Sequence, residues 1–121
     1  MLREQKIRLV EAYLESFLTK DLSNVSFADE VTFEGPRMPK LEGRQRVLAF
    51  LQKIVLPAVV DIHVKQHLVE GDYVATVFDM KTTHGVEHVC DLIHVLDGQI
   101  AGISAFFYPH QDATDQHARG G

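Results

Sequence analysis

Asp91 is the residue whose type and setting most invite chemistry. It lies in the run Val89-Cys90-Asp91-Leu92-Ile93-His94-Val95, where Val89, Ile93 and Val95 share its side of an alternating strand. A lone carboxyl in an apolar row is costly unless it is paired or protonated. Two readings follow: a structural carboxyl satisfied by backbone or water, or an acid pointing into a pocket. The other reactive types are less promising. His84 and His88 are four apart across a turn and strand, and His63 and His67 are four apart within a strand, which separates them by about 13 Å. No carboxylate matches either spacing, so no metal site and no cofactor is expected. Cys90 would need a partner that stabilises a thiolate to act as a nucleophile; it faces away from Asp91, and an outer-face contact is the simpler reading.

The elements that must position Asp91 can be read from periodicity. Arg3 to Lys20 carries Ile7, Val10, Leu14, Phe17 and Leu18 at helical spacing, with Leu9 and Tyr13 widening the arc. An arc that wide covers something large, such as a sheet. Asp21 is expected to cap a short second helix through Phe27, and a short strand from Val31 ends at Gly35-Pro36. A third helix follows Gly43, with Val47, Phe50, Leu51 and Ile54 on one face and Pro57 as its stop.

From Val59 onward the pattern is β. Val59–Val69 alternates, with Val60, Ile62, Val64 and Leu68 on one side and Asp61, His63, Lys65 and His67 on the other. Gly71-Asp72 and a turn near His84-Gly85 bound the strand Tyr73–Lys81. Asp97-Gly98 suits a two-residue hairpin loop, because both central positions need positive φ, and Gln99–Tyr108 is the last strand.

Helices followed by hairpin-linked strands predict an α+β fold. The expected architecture is a strongly curved, cone-shaped antiparallel (mixed) β-sheet wrapped around the long first helix, with two further helices. Leu92, Phe106 and Tyr108 fall on the outer face, which is therefore partly apolar. Such a face predicts an interface, most simply a two-fold homodimer.

Composition narrows the classes. The chain has 121 residues, enough for a single domain over 1–109 with a polar, Gly-ended and disordered tail over 110–121. A net charge of −5 and a pI near 5.7 argue against nonspecific nucleic-acid binding. No run reaches the ~18 apolar residues of a membrane span. A single cysteine and an N-terminus without signal-peptide order favour a cytoplasmic setting.

Taken together, these motifs resemble the superfamily of ketosteroid isomerases, SnoaL-like polyketide cyclases and nuclear transport factor 2, with its cystatin-like fold. The resemblance spans residues 3 to 109. It rests on Phe-Leu-Thr-Lys-Asp-Leu closing the first helix, Phe-Ala-Asp-Glu-Val-Thr-Phe-Glu-Gly-Pro, Leu-Glu-Gly-Arg-Gln-Arg-Val opening a helix, and Asp-Leu-Ile-His-Val-Leu-Asp-Gly-Gln-Ile. The order and spacing are specific for the fold, and much less so for an activity.

The resemblance implies an open cone that holds a small apolar molecule, usually in a homodimer. In the isomerases a helix tyrosine and a protonated aspartic acid donate to an enolate oxygen, and a second aspartate moves the proton. Tyr13 and Asp91 stand at the first two positions as the candidate catalytic pair. The third position is Gly35, which has no side chain. Strand parity turns Glu34 away from the face of Phe33 and Gly35, with the loop near Arg37 and Met38 as the one route that could still deliver it, and the resemblance puts Asp79 outside. The same comparison makes Thr76, Phe78 and Met80 inward residues of a candidate substrate-binding wall. Phe17, Phe33, Val47, Phe50, Leu51, Ile103 and Phe107 complete that wall. Three functions remain open: an isomerase- or cyclase-like enzyme, a non-catalytic binder of an apolar ligand, and a dimeric interaction module.

Overall fold

The structure, a computed structural model, describes residues 1–108; the tail expected over 110–121 lies outside the described residues. Helix α1, Arg3–Thr19, buries Val10, Tyr13, Leu14 and Phe17 along one stripe, as its periodicity predicts, while Leu18 stays 44% exposed. It ends at Lys20, whose φ of 64° lies in the left-handed region usually left to glycine. Its backbone N–H donates to Ser16 O, and its ammonium donates to Leu56 O at 2.7 Å and to Val59 O. One lysine thus closes the first helix and ties that end to a distant segment.

No second helix forms over 21–27. The Asp21 carboxylate accepts from the backbone N–H of Ser23 at 2.9 Å, which makes a turn rather than a cap, and β1 already begins at Phe27 and runs to Glu34. A two-residue strand, β2 (Leu41–Glu42), pairs back on β1. Helix α2, Arg44–Phe50, passes into a π-helical turn, Leu51–Val55, and then into the short α3, Leu56–Ala58. Pro57 therefore sits inside the last helical turn instead of ending the helix ahead of it. Val47 and Leu51 are fully buried as expected, but Ile54 is 61% exposed.

Four long strands follow: β3 Val59–Glu70, β4 Tyr73–Thr82, β5 Gly85–Leu96 and β6 Gln99–Tyr108. The sheet order is β2-β1-β6-β5-β4-β3. All neighbours are antiparallel except β1 and β6, which are parallel, so the sheet is mixed. Asp97 and Gly98 have φ of 53° and 75°, the two positive values that an Asp-Gly hairpin loop requires. The sheet does not close, and α1 packs across its inner face against β3 and β4.

Register shifts break the β3–β4 ladder between Val59 and Asp61 and again between Val64 and Gln66. Each such bulge changes the parity of the residues that follow and bends the strand. This corrects the alternation expected for β3. Ile62 and Val64 pair with the inward Met80 and Phe78, but beyond the second bulge His67 and Val69 pair with the inward Thr76 and Val74. Leu68 turns outward and is 54% exposed. The inner face and α1 together bury one core, which includes Phe27, Val31, Phe78, Ile93, Ile100 and Ile103.

On the outer face Tyr73, Leu92, Phe106 and Tyr108 are exposed hydrophobics. Tyr73 stacks on His94 with ring centroids 4.5 Å apart, and His88 stacks on Tyr108 at 5.7 Å. No helix among the described residues is long and apolar enough to cross a membrane.

Candidate functional site

A cavity of about 270 Å³ opens between the end of α1, the α2–α3 segment and the inner face of β4, β5 and β6. Tyr13 reaches it from α1 because it lies on the buried stripe, where its ring makes edge contacts with Phe17 at 5.0 Å and Phe27 at 6.2 Å between centroids. Asp91 reaches it from β5 through the parity that buries Val89 and Ile93. Both are almost fully buried, at 1% and 3% exposure, and both line the cavity. Among the described residues, neither the Tyr13 hydroxyl nor the Asp91 carboxyl has a hydrogen-bond partner.

Burial decides the charge of both groups. Desolvation raises the Asp91 carboxyl from its ordinary 3.8 to about 7. Desolvation also raises the Tyr13 phenol well above its ordinary value, and the nearby Asp91 charge adds to that. Tyr13 is therefore a hydrogen-bond donor throughout the neutral range. Asp91 is a donor below about pH 7 and an acceptor above it.

The other walls are almost entirely apolar. Of the residues expected to line a pocket, Phe17, Phe33, Phe50, Leu51, Phe78, Met80 and Phe107 do so. Val47, Thr76 and Ile103 do not; they are completely buried in the layer behind the wall. The expectation missed Met38, Val55, Val59 and Ala105, with Ile54 near the opening. Val89 and Ala105 share the strand parity of Asp91 and Phe107, so alternation alone could have found them. Met38 lies in the Pro36–Pro39 loop, where periodicity carries no signal.

Gly35 is on the wall. A Cβ placed there would stand 3.1 Å from Met38 Sδ and 3.4 Å from Phe33 Cε1. The space beside Gly35 is thus filled by a thioether, and a carboxylate side chain at that position would have to displace it. Glu34 faces the other way, exposed and 3.6 Å from Lys40 Nζ. Asp79 is on the outer face, where its bond to His88 Nδ1 at 2.7 Å, with Lys65 Nζ at 3.4 Å, holds its carboxyl below the usual range. Among the described lining residues, Tyr13 and Asp91 are the two ionisable groups. Among the described residues no group of three or more His, Cys, Asp or Glu side chains could hold a metal ion.

Residues 1–116 match the family described as Domain of unknown function (DUF4904). The chain belongs to this family. No curated protein matches the sequence. Among solved structures, it is similar to a steroid delta-isomerase from Pseudomonas aeruginosa, with a TM-score of 0.74 at 18% identity over 97% of this chain and 89% of that one. An NTF2-like protein of unknown function from Cytophaga hutchinsonii gives 0.73 at 21% identity, over 86% of this chain and 90% of that one. A de novo designed protein with a curved β-sheet gives 0.79 at 19% identity, over 97% and 96%. The fold of this DUF4904 member is therefore NTF2-like, the fold of the superfamily its motifs resemble. Likeness at such identities concerns the fold, which natural and designed sequences share.

Proposed function

We propose that this DUF4904 domain binds a small apolar, ring-bearing molecule whose single polar oxygen is held by Tyr13 and Asp91. One observation carries the reading: two buried, unpartnered oxygen groups stand in a cavity whose other walls are almost entirely apolar. Unpartnered buried polar groups are costly, and a ligand oxygen between them offsets that cost. Below pH 7 both groups donate, which suits a ketone oxygen. The test is calorimetry at pH 6 with a panel of cyclic ketones and their parent hydrocarbons. Ketones should bind at least about tenfold more tightly, and Tyr13→Phe and Asp91→Asn should each remove about that factor. Equal affinity for ketone and hydrocarbon would end the proposal.

A second reading, isomerase- or cyclase-like catalysis through a stabilised enolate, is favoured by the same pair of donors, because groups preorganised around a carbonyl oxygen stabilise the charge that develops there. Against it stands the wall at Gly35 and Met38, which supplies no separate base. Binding without deuterium exchange α to the carbonyl supports a binding protein; exchange lost in Asp91→Asn supports the enzyme.

The apolar outer face of β4–β6 further supports a homodimer in which Leu92, Phe106 and Tyr108 are covered. Sedimentation of the wild type and of Phe106→Glu tests this: a dimer that becomes a monomer supports it, and a wild-type monomer refutes it.

A further inference from the structure

A polar row crosses the inner face of the sheet behind the cavity. His67 on β3 is paired with Thr76 on β4, and Thr76 is paired with Asp91 on β5. Directly opposed residues of antiparallel strands point to the same face, with Cβ atoms about 4.5–5.5 Å apart. The rows on either side are apolar: Val69, Val74, Ile93 and Ile103 on one, Phe78, Val89 and Phe107 on the other. Three polar side chains in register between two apolar rows need a physical reason, since each loses hydration on folding.

Their bonding is incomplete. Thr76 is fully buried, and its hydroxyl has no hydrogen-bond partner among the described residues; the same holds for both ring nitrogens of His67. His67 Nε2 lies 3.5 Å from Glu11 Oε2 on α1, close enough for an ion pair but without the alignment of a hydrogen bond. The His67 side chain is 12% exposed and that of Glu11 56%, so the row begins at the cavity and ends at solvent. It exists because the β3 bulge between Val64 and Gln66 turns His67 inward.

We infer that Thr76 and His67 are a proton relay that connects the Asp91 carboxyl to the surface at Glu11. The inference rests on Asp91 being the working acid of the cavity. Buried polar groups with unused bonding capacity are commonly joined by ordered water, and a hydroxyl can accept on one side while donating on the other. The Asp91 O–H bond breaks and its proton passes to a bridging water, the water gives one of its own protons to Thr76 Oγ1, and the Thr76 hydroxyl proton passes on to a His67 ring nitrogen. Asp91 is left a carboxylate and His67 an imidazolium facing Glu11, and the total charge of the row is unchanged. The groups that face Asp91 are Tyr13 from α1, Thr76 from β4 and the methyl of Ala105 from β6; those that face His67 are Glu11 from α1 and Thr76 from β4. Such a relay lets the cavity acid exchange its proton while a ligand closes the opening.

The test uses the ligand-free protein, so its outcome is independent of what the cavity binds. The Asp91 side-chain carboxyl is titrated by carbon-13 NMR in the wild type, Thr76→Val, Thr76→Ser and His67→Gln. Loss of the hydroxyl or of the imidazole removes support for the carboxylate. Thr76→Val and His67→Gln should therefore raise the Asp91 midpoint by about one pH unit, a tenfold change in its ionisation constant, and Thr76→Ser should restore it. A merely structural threonine would alter stability and leave these midpoints alone. Asp91 midpoints within about 0.3 pH units of wild type in both Thr76→Val and His67→Gln would overturn the relay. If Thr76→Val fails to fold, His67→Gln decides by the same criterion. Loss of ketone selectivity with the shifts intact would refute the ligand and spare the relay.

Discussion

Replacing Asp91 by Asn should change how stability depends on pH, in a direction fixed by burial. In the unfolded chain the carboxyl ionises at its ordinary 3.8, and in the folded chain it holds its proton to about 7. Between those values the unfolded state loses a proton that the folded state keeps. Unfolding is then increasingly favoured as pH rises, so the contribution is fully present below about pH 4 and gone above about pH 7. At roughly 1.4 kcal/mol per pH unit the interval is worth about 4 kcal/mol, a large part of the ~5–15 kcal/mol that holds a small domain folded. Asparagine has the same shape and no charge to desolvate. Urea unfolding of both proteins at pH 4.5, 6 and 8 gives the difference in stability, and background titrations such as that of Asp79 cancel in it. Asp91→Asn should gain on the wild type from pH 4.5 to about pH 7 and keep that gain at pH 8. A difference independent of pH, or one that moves the other way, would mean that burial does not hold the proton on the Asp91 carboxyl.

Other consequences follow from the same packing. Ketone affinity of the wild type should be flat below pH 7 and fall about tenfold per pH unit above it, as Asp91 loses its proton; an affinity flat to pH 9 would remove Asp91 from the site. Phe78→Ala should cost about 3–5 kcal/mol in urea unfolding because Phe78 is core, whereas Phe107→Ala, at 43% exposure, should cost under about 2 kcal/mol and mainly weaken binding in calorimetry. Gly35→Asp should destabilise by about 1–3 kcal/mol through crowding against Met38, and Met38→Ala in the same chain should relieve much of it; equal costs with and without Met38 would contradict the contact. Lys20→Met, which removes the ammonium bonded to Leu56 O and Val59 O, should cost about 1–3 kcal/mol, and full wild-type stability would show that tie to be idle.

The legible features were those set by local rules. Asp97-Gly98 has one favourable turn type, so the hairpin that carries Asp91 was readable, and with it the parity that turns Asp91 inward. The wide arc of α1 identified a helix lying on a sheet, with Tyr13 on its buried side. Features that depend on distant partners were not readable. The bulge that turns His67 inward is a property of the β3–β4 ladder and leaves no mark in Val64-Lys65-Gln66. Asp21 has the residue type of a helix cap, yet its carboxylate turns the chain toward Phe27, which the sheet claims for β1. Lys20 in a left-handed conformation is held by carbonyls 36 and 39 positions away. The absence of a carboxylate at Gly35 was plain in the sequence, but its replacement by the Met38 sulfur was not, because a Pro-flanked loop has no period from which to place a side chain.

In the proposed complex one ligand oxygen sits between the Tyr13 hydroxyl and the Asp91 carboxyl. The carbonyl stretching frequency of a bound, carbon-13-labelled cyclic ketone reads that contact directly. At pH 6 it should lie well below its value in hexane, should recover part of the difference in Tyr13→Phe, and should recover another part in the wild type at pH 8.5, when Asp91 no longer donates. A frequency equal to that in hexane, or one that neither the substitution nor the pH moves, would contradict the account.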